Sequence, residues 1–121
     1  MGSKIKKSTG FEERFIKANK LLKKYPDYVP VICEKTEDKY NPDIDINKYL
    51  VPVSITLGQF LMIVRQRIAI KPEEAVFLFV NNCIVHSNEQ IGNIYYQHKD
   101  PDNFLYISYS KENTFGGLAI I

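Results

Sequence analysis

Two pairs of strand-like segments on either side of one amphipathic segment constrain the fold of this chain more than any other feature. The first pair is Val29 to Cys33 and Lys48 to Val53, both rich in β-branched and aromatic residues. The second pair begins with the solid apolar run Val76 to Val80, which Asn81-Asn82 turns into the short segment Ile84-Val85. This order predicts a hairpin, a crossover helix and two further strands.

The crossover helix is predicted from a start signal and from the spacing that follows it. Thr56 to Gln59 has the pattern of a capping box, and apolar residues then recur at helical spacing as far as Pro72. A similar box formed by Ser87 and Gln90 predicts a brief helix through Tyr96.

A further helix is predicted ahead of the first strand. Thr9 and Glu12 form a capping-box pattern, so the helix should begin near Gly10, and Pro26 should end it. Its apolar stripe, at steps of four and three, comprises Phe11, Phe15, Ala18, Leu22 and Tyr25.

The last predicted strand is Phe104 to Tyr109, which follows the turn signal of residues 100–103. The complete order is helix, ββαββ, short helix, β, and without the leading helix it is a β-grasp pattern. Pro30 and Pro52 cannot donate ladder hydrogen bonds, so each should lie at an edge, an end or a bulge. One strand of the first pair should therefore border solvent. At 121 residues the chain suits one compact α+β domain.

The charge balance bears on the class of partner. Sixteen Lys and Arg against fourteen Asp and Glu leave a net charge of only +2, which argues against a general nucleic-acid binder. The basic residues that do gather form either a solvated face or a surface that attracts acidic peptides or an anionic membrane. They are Lys4, Lys6, Lys7, Lys17, Lys20, Lys23, Lys24, Lys35, Lys39 and Lys48. No apolar run is long enough for a signal peptide or a membrane span, which predicts a cytoplasmic protein.

Neither a metal site nor a catalytic site is predicted. Cys33 and Cys83 each lie in an apolar stretch, which predicts two buried, reduced thiols. Cys83 with His86 has no second ligand pair at matching spacing. The calcium-loop rhythm of residues 43–47 is broken because Lys48 replaces the required Gly. We therefore expect neither a cofactor nor an enzyme.

The tail, residues 111–121, carries Gly116 and Gly117 on a polar stretch, followed by four apolar residues too short to fold alone. Because glycine lacks a Cβ, an extended glycine can thread a narrow protease channel and present its carboxyl with little steric hindrance. The alternative is a frayed chain end. The expected division is an extension or short helix over 1–10, a domain over 11–110 and a tail with a removable segment over 111–121.

Several ordered blocks together resemble one known family. They are Lys24-Tyr-Pro-Asp27, Val29-Pro-Val-Ile32, Glu34-Lys35, Lys48-Tyr-Leu-Val-Pro52, Thr56-Leu-Gly-Gln-Phe60, Phe79-Val-Asn-Asn82, Phe104-Leu-Tyr-Ile107 and Tyr109-Ser110. From Phe11 to Gly116 the chain resembles the GABARAP and microtubule-associated light chain 3 group of autophagic ubiquitin-like modifiers. The resemblance implies a ubiquitin-like β-grasp core with additional N-terminal helices.

The resemblance also implies a sequence of events at the tail. A dedicated cysteine protease would cut after the pair Phe115-Gly116, and the Gly116 carboxyl would pass through E1-like and E2-like enzymes to the amine of phosphatidylethanolamine. The product would be anchored by lipid on autophagosomal membranes. Gly117 departs from the family pattern, and cutting after it would leave a Gly-Gly end, but the Phe-Gly alignment favours Gly116.

Receptor or adaptor proteins would dock, by resemblance, through short peptides with an aromatic residue, two spacers and an aliphatic residue, added as a strand along Lys48 to Pro52. The aromatic pocket would be lined by Lys17, Leu21, Pro30, Ile32, Lys48, Leu50 and Phe104. The aliphatic pocket would be lined by Tyr49, Val51, Pro52, Ile55, Phe60 and Ile63. Arg67, with Lys48, would receive acidic flanks. Core packing alone would also explain each apolar member.

Some residues depart from the family pattern, and two rival functions remain. Tyr28 replaces a common basic residue and Lys17 a common acidic one, and both changes bear on which peptides bind. One rival is a ubiquitin-like peptide-binding domain that is never conjugated. The other is an RNA-binding module that stacks bases on the aromatic residues of Phe104 to Tyr109, but its strand lacks the expected glycines.

Overall fold

The computed structural model describes residues 3–36 and 41–111, and the backbone of residues 114–115 and 118–119. Its helices are α1 Lys4–Ser8, α2 Phe11–Lys24, α3 Leu57–Arg67 and α4 Ile91–His98. Its strands are β1 Tyr28–Lys35, β2 Lys48–Pro52, β3 Phe77–Val80, β4 Cys83–Ile84, β5 Leu105–Ser110, β6 Thr114–Phe115 and β7 Leu118–Ala119. The predicted order of helices and strands is confirmed from α2 to β5, whereas β6 and β7 were not predicted.

Five of these strands form one mixed sheet in the order β2-β1-β5-β3-β4. The central strands β1 and β5 run parallel, with Val31 opposite Leu105, and the other neighbours are antiparallel. The tight turn predicted between β3 and β4 is present, with Asn81 and Asn82 at φ 51° and 61°. This α+β arrangement confirms the predicted ubiquitin-like β-grasp.

Pro30 and Pro52 lie at positions where the missing N–H removes no hydrogen bond between strands. Cys33 donates its N–H to Asn47 on the β2 side of β1, so by alternation the nitrogen of Pro30 faces β5. Pairing with β5 begins only at Val31, and no ladder bond is lost. Pro52 ends the edge strand β2, which confirms that one strand of the first pair lies at an edge.

Helices cover both faces of the sheet. The inner face packs against α3 and α4 and forms the main core, with Val31, Val51, Phe60, Ile94 and Leu105 among its buried members. The outer face lies under α1 and α2 and holds a smaller cluster of Ala18, Ile32 and Phe104, against which Ile5 packs. Fully burying side chains of this size stabilises the fold by about 1.5 to 3 kcal/mol each.

One of the three predicted capping boxes forms. Thr56 accepts the N–H of Gln59, and the Gln59 side chain accepts the N–H of Thr56. The Thr9 box is wrong because Thr9 ends α1 and Gly10 is the N-cap of α2. α3 also ends before Pro72, at Arg67, because the next residue, Ile68, forms a β-bridge with Ile44.

The box predicted at Ser87 is wrong as well. Gln90 is the N-cap of α4 and makes no side-chain capping bond. The carbonyl of Ser87 instead accepts the N–H of Gly58, and the carbonyl of Glu89 accepts the N–H of Leu57. Residues 87–90 therefore bind the start of α3, and the helix begins only at Ile91.

The apolar stripe predicted on α2 is wrong in part. Phe11 is 50% exposed and Phe15 is 39% exposed, whereas Ala18 is fully buried. The buried face of the helix contains Arg14 in their place. A charged side chain can occupy this face because Asp102, on the loop before β5, accepts its guanidinium.

The two cysteines differ in their exposure to solvent. Cys33 is buried on β1, and burial raises the pKa of its thiol. Cys83 is exposed, so its prediction as a core residue is wrong. β4 is a two-residue strand at the sheet edge, too short to carry its side chains under a helix. Among the described residues no helix has the length and apolar character needed to cross a membrane.

Candidate functional site

Strand β2 is the longer of the two edge strands of the five-stranded sheet. It pairs with β1 along one side, from Lys48 opposite Ile32 to Pro52 opposite Tyr28. Within the described ranges no strand pairs with its other side. An edge strand in this state offers unpaired backbone N–H and C=O groups to an added strand.

Side chains along this edge alternate between the two faces of the sheet. Lys48 and Leu50 lie opposite Ile32 and Pro30, on the outer face that α2 covers. Tyr49 and Val51 lie on the inner face with α3. A strand added here would therefore meet one group of side chains on each face.

The predicted aromatic pocket lies on the outer face. Its deep members, which form the floor between α2, β1 and the start of β5, are Pro30, Ile32 and Phe104, all buried. Its accessible members are Lys17, Leu21, Lys48 and Leu50. Four of the seven predicted side chains are thus accessible to solvent, and their role in binding a peptide stays a prediction.

Most residues predicted for the aliphatic pocket lie on the inner face. Tyr49 meets Phe60 edge to face, with ring centroids 5.5 Å apart. Phe60 and Val51 are buried core residues, while Ile63 on α3 is 37% exposed. Ile55 is half-buried near the end of β2. Pro52, predicted with this group, falls by alternation on the outer face beside Leu50 instead.

Positive charge borders both faces of the edge. Burial and the neighbouring Lys17 ammonium lower the pKa of Lys48, so two like charges meet at the mouth of the outer pocket. Arg67 extends from the end of α3, with Nη1 3.7 Å from Oδ2 of the exposed Asp45. A carboxylate arriving at Lys17 and Lys48 would relieve their mutual repulsion.

The inner pocket contains an unusual hydroxyl. The Tyr49 oxygen is buried and has no hydrogen-bond partner among the residues that the structure describes. Burial, with Cys33 nearby, raises the pKa of Tyr49 to about 12. The hydroxyl therefore stays protonated at neutral pH, as a hydrogen-bond donor that has no acceptor within the described residues.

We expect Tyr49→Phe to leave the free energy of unfolding unchanged or to raise it by up to about 1 kcal/mol, because the hydroxyl loses no bond and its desolvation cost disappears. The matched control is Tyr95→Phe, since the Tyr95 hydroxyl donates to the carbonyl of Asn103 at 2.6 Å. That control should lose about 1 kcal/mol. Urea unfolding of both variants measures the difference, and a larger loss at Tyr49 would contradict the geometry.

A charged network that the sequence did not predict fixes α2 to the sheet. Asp102 is completely buried and accepts Arg14 Nε at 2.8 Å, the Tyr106 hydroxyl at 2.5 Å and the Phe104 N–H at 2.9 Å. Burial and this bond to Asp102 raise the pKa of Tyr106. Because Phe104 lies in the floor of the outer pocket, the network also positions that floor.

Helix α1 is fixed beside the same network. Lys6 forms an ion pair with Asp100 and lies 4.5 Å over the ring of Tyr106. The N–H of Ile5 donates to Glu34 at 3.2 Å. Although burial of Asp100 opposes ionisation, the bond from Lys6 lowers the pKa of that carboxyl overall. α1 is thus attached to the outer face by charge and by the packing of Ile5.

The tail begins where β5 ends. The N–H of Lys111 donates to Asn41 at 2.9 Å, and its ammonium pairs with Glu74 at 2.5 Å. The predicted cleavage residues Gly116 and Gly117 lie outside the described residues, and only the backbone of Phe115 is described. Thr114–Phe115 pairs with Leu118–Ala119 as a separate two-stranded sheet.

Comparison with known proteins points to one family. A family model described as "Autophagy protein Atg8 ubiquitin like" matches residues 13–116. Autophagy-related protein 8 of Mycosarcoma maydis is 48% identical over 118 residues, which cover 98% of this chain and 100% of that protein. Autophagy-related protein 8e of Arabidopsis thaliana is 46% identical, covering 98% of both chains.

Solved structures agree with the sequence matches. The crystal structure of Trypanosoma brucei ATG8 superposes with a TM-score of 0.88 at 40% identity, covering 96% of this chain and 100% of that one. Plasmodium falciparum Atg8, solved in complex with a Plasmodium falciparum Atg3 peptide, gives 0.82 at 33% identity, covering 93% and 98%. These matches confirm the expected class, a ubiquitin-like protein of autophagy and not an enzyme.

Proposed function

The chain belongs to the Atg8 family of ubiquitin-like autophagy proteins, and we propose that it is a modifier whose Gly116 carboxyl becomes joined to phosphatidylethanolamine. The observation that carries this proposal is the family match itself, which extends past β5 into the tail and ends at residue 116. We divide the chain into a helical extension over 1–10, a ubiquitin-like domain over 11–110 and a tail over 111–121.

The proposed sequence of events starts with a cysteine protease that cuts after Gly116. E1-like and E2-like enzymes then carry the new carboxyl to the lipid amine. One acyl chain binds a membrane only marginally, whereas two anchor it stably, at about 0.8 kcal/mol per buried CH₂. Coupling to a diacyl lipid therefore moves the protein from the cytoplasm to autophagosomal membranes in one step.

Mass spectrometry of the protein from cells tests this proposal. The expected species end at Gly116, and one of them carries the mass of phosphatidylethanolamine. A mature form that ends at Gly117 would show that the protease cuts after Gly117 and not after Gly116. A chain that always retains residues 117–121 and never carries lipid would overturn conjugation and favour an unconjugated peptide-binding domain.

The same protein would bind receptor peptides along β2. Because the two pockets lie on opposite faces of the sheet edge, an added strand fills both only if its two anchors are an odd number of residues apart. An aromatic residue, two spacers and an aliphatic residue meet that condition. The peptide complex of the Plasmodium falciparum relative supports a peptide-binding role.

Leu50→Ala should weaken the binding of such a peptide by about 1 to 3 kcal/mol, because Leu50 is an accessible apolar side chain near the middle of β2 on the outer face. Calorimetric titration of an acidic peptide with aromatic-x-x-aliphatic spacing measures the change. Met62→Ala is the matched control, since Met62 is 60% exposed on α3 and lies outside both pockets. Equal affinity of the Leu50 variant and the wild type would remove the outer pocket from the proposal.

A further inference from the structure

The tail of this chain has the same pattern that its own β2 edge is suited to bind. Phe115 is followed by the spacers Gly116 and Gly117 and then by Leu118. An aromatic and an aliphatic residue three positions apart point to opposite faces of an added strand. Glu112 adds a negative charge just before them, which complements the Lys17 and Lys48 pair at the outer pocket.

We propose that the uncut tail of one copy docks on the β2 edge of a second copy, with Phe115 at the outer pocket and Leu118 at the inner pocket. This inference rests on the proposed peptide-binding function and names a partner for that site, a second copy of the same chain. Cleavage after Gly116 separates Phe115 from Leu118 and so destroys the ligand. Cleavage would then expose the Gly116 carboxyl and, in the same step, release the β2 edge of the second copy for receptor peptides.

The occupant must be a second copy because the tail is too short to reach its own groove. Lys111 is held by Asn41 and Glu74, and the four residues from there to Phe115 span at most about 14 Å when extended. A strand added beyond β2 lies three strand spacings from β5, about 14 Å across the sheet.

The tail would also have to run back along the strands. Tyr109 lies opposite Lys35, whereas Leu50 lies opposite Pro30, five residues earlier on β1, which adds about 16 Å. The two distances are perpendicular, so the tail would have to span roughly 21 Å. The extended tail reaches only about two thirds of that distance. Docking within one molecule is therefore excluded by geometry.

For the tail to dock, the two-stranded sheet β6–β7 must open, and this sheet is expected to be weak. Phe115 and Leu118 are backbone partners in the two-stranded sheet β6–β7, which in the described part of the chain forms no ladder with the five-stranded sheet. An isolated hairpin is marginally stable in water, so little free energy is needed to open it. On the β2 edge the same backbone groups would extend a five-stranded sheet and bury both apolar side chains.

The contact is heterologous, since a tail meets a groove and not another tail. Such contacts build chains or rings whose size rises with concentration. Uncut protein at high concentration should then contain few free grooves, and receptor peptides should bind it more weakly than they bind the cut form.

Sedimentation velocity over a concentration series tests the proposal on three proteins: the full chain, a chain ending at Gly116, and the full chain with Leu118→Asp. The full chain should self-associate, and the other two should associate at least about tenfold more weakly. The same weight-average mass for all three at several hundred micromolar would overturn the proposal, whether that mass is monomeric or not.

A mixing experiment identifies the geometry of the contact. Full-length Leu50→Ala has an intact tail and a damaged groove, whereas full-length Leu118→Asp has the reverse. Each alone should remain monomeric, and the mixture should form one-to-one dimers that grow no further. No association on mixing, or symmetric dimers of either variant alone, would overturn a tail-into-groove contact.

A titration separates this inference from the function on which it rests. A synthetic peptide of residues 109–121 and an unrelated acidic aromatic-x-x-aliphatic peptide are each titrated into the chain ending at Gly116. Binding of both supports the inference. Binding of the unrelated peptide alone refutes self-docking and leaves the peptide site standing, and binding of neither refutes both.

Discussion

Replacing Asp102 by asparagine should lower the free energy of unfolding by about 3 to 5 kcal/mol, the largest stability loss that we expect from a single polar substitution in this chain. Asn keeps the size of the side chain and its bond from the Phe104 N–H, but it removes the carboxylate charge that pairs with the Arg14 guanidinium. Arg14 is nearly buried and Asp102 is completely buried, so water compensates little. Urea unfolding followed by circular dichroism measures the loss.

Two comparisons make this result interpretable. Asp43→Asn removes an exposed carboxylate that pairs with Lys35, and its unfolding midpoint should stay close to that of the wild type, because such surface pairs contribute little. Adding Arg14→Met to Asp102→Asn should recover part of the loss by removing the unpaired charge. An Asp102 variant no less stable than the Asp43 variant would mean that the network does not hold α2.

The parts of the fold that depend on neighbouring residues could be predicted from the sequence. The Thr56 capping box needs only a side chain three residues away, and the Asn81-Asn82 turn needs only two residues that tolerate positive φ. Alternating and continuous apolar runs supplied the strands for the same reason. A local pattern gives a wrong prediction where the same residue belongs to another helix. Thr9 was predicted to cap α2, but it ends α1.

Long-range pairing explains what the sequence did not predict. Arg14 and Asp102 are 88 positions apart, and nothing near either residue signals the other. The periodic pattern therefore assigned the buried face of α2 to Phe11 and Phe15 rather than to Arg14. One local signal was available, since Arg14 precedes the buried Ala18 by one helical turn.

The candidate peptide site was predictable by two different routes. The expectation that one strand of the first pair lies at an edge follows from physics, because neither Pro30 nor Pro52 can donate to a ladder. The membership of the two pockets came from the family resemblance alone, because Ile32, Val51, Phe60 and Phe104 are buried and look like ordinary core. Neither route states that the site is divided between two faces of the sheet. That division follows from the alternation of side chains along β2.

Gly116→Ala should abolish conjugation, because a Cβ at the scissile position obstructs a narrow protease channel and crowds the carboxyl during transfer. The fold should be unaffected, since the tail sheet β6–β7 is separate from the five-stranded sheet. We expect a melting temperature equal to that of the wild type, an uncut mass, and no lipid-bearing species on membranes. Gly117→Ala is the matched control, since a residue after the cut leaves with the removed segment and should permit lipid attachment. Normal membrane puncta from Gly116→Ala, together with their loss from Gly117→Ala, would place the conjugated carboxyl on the second glycine.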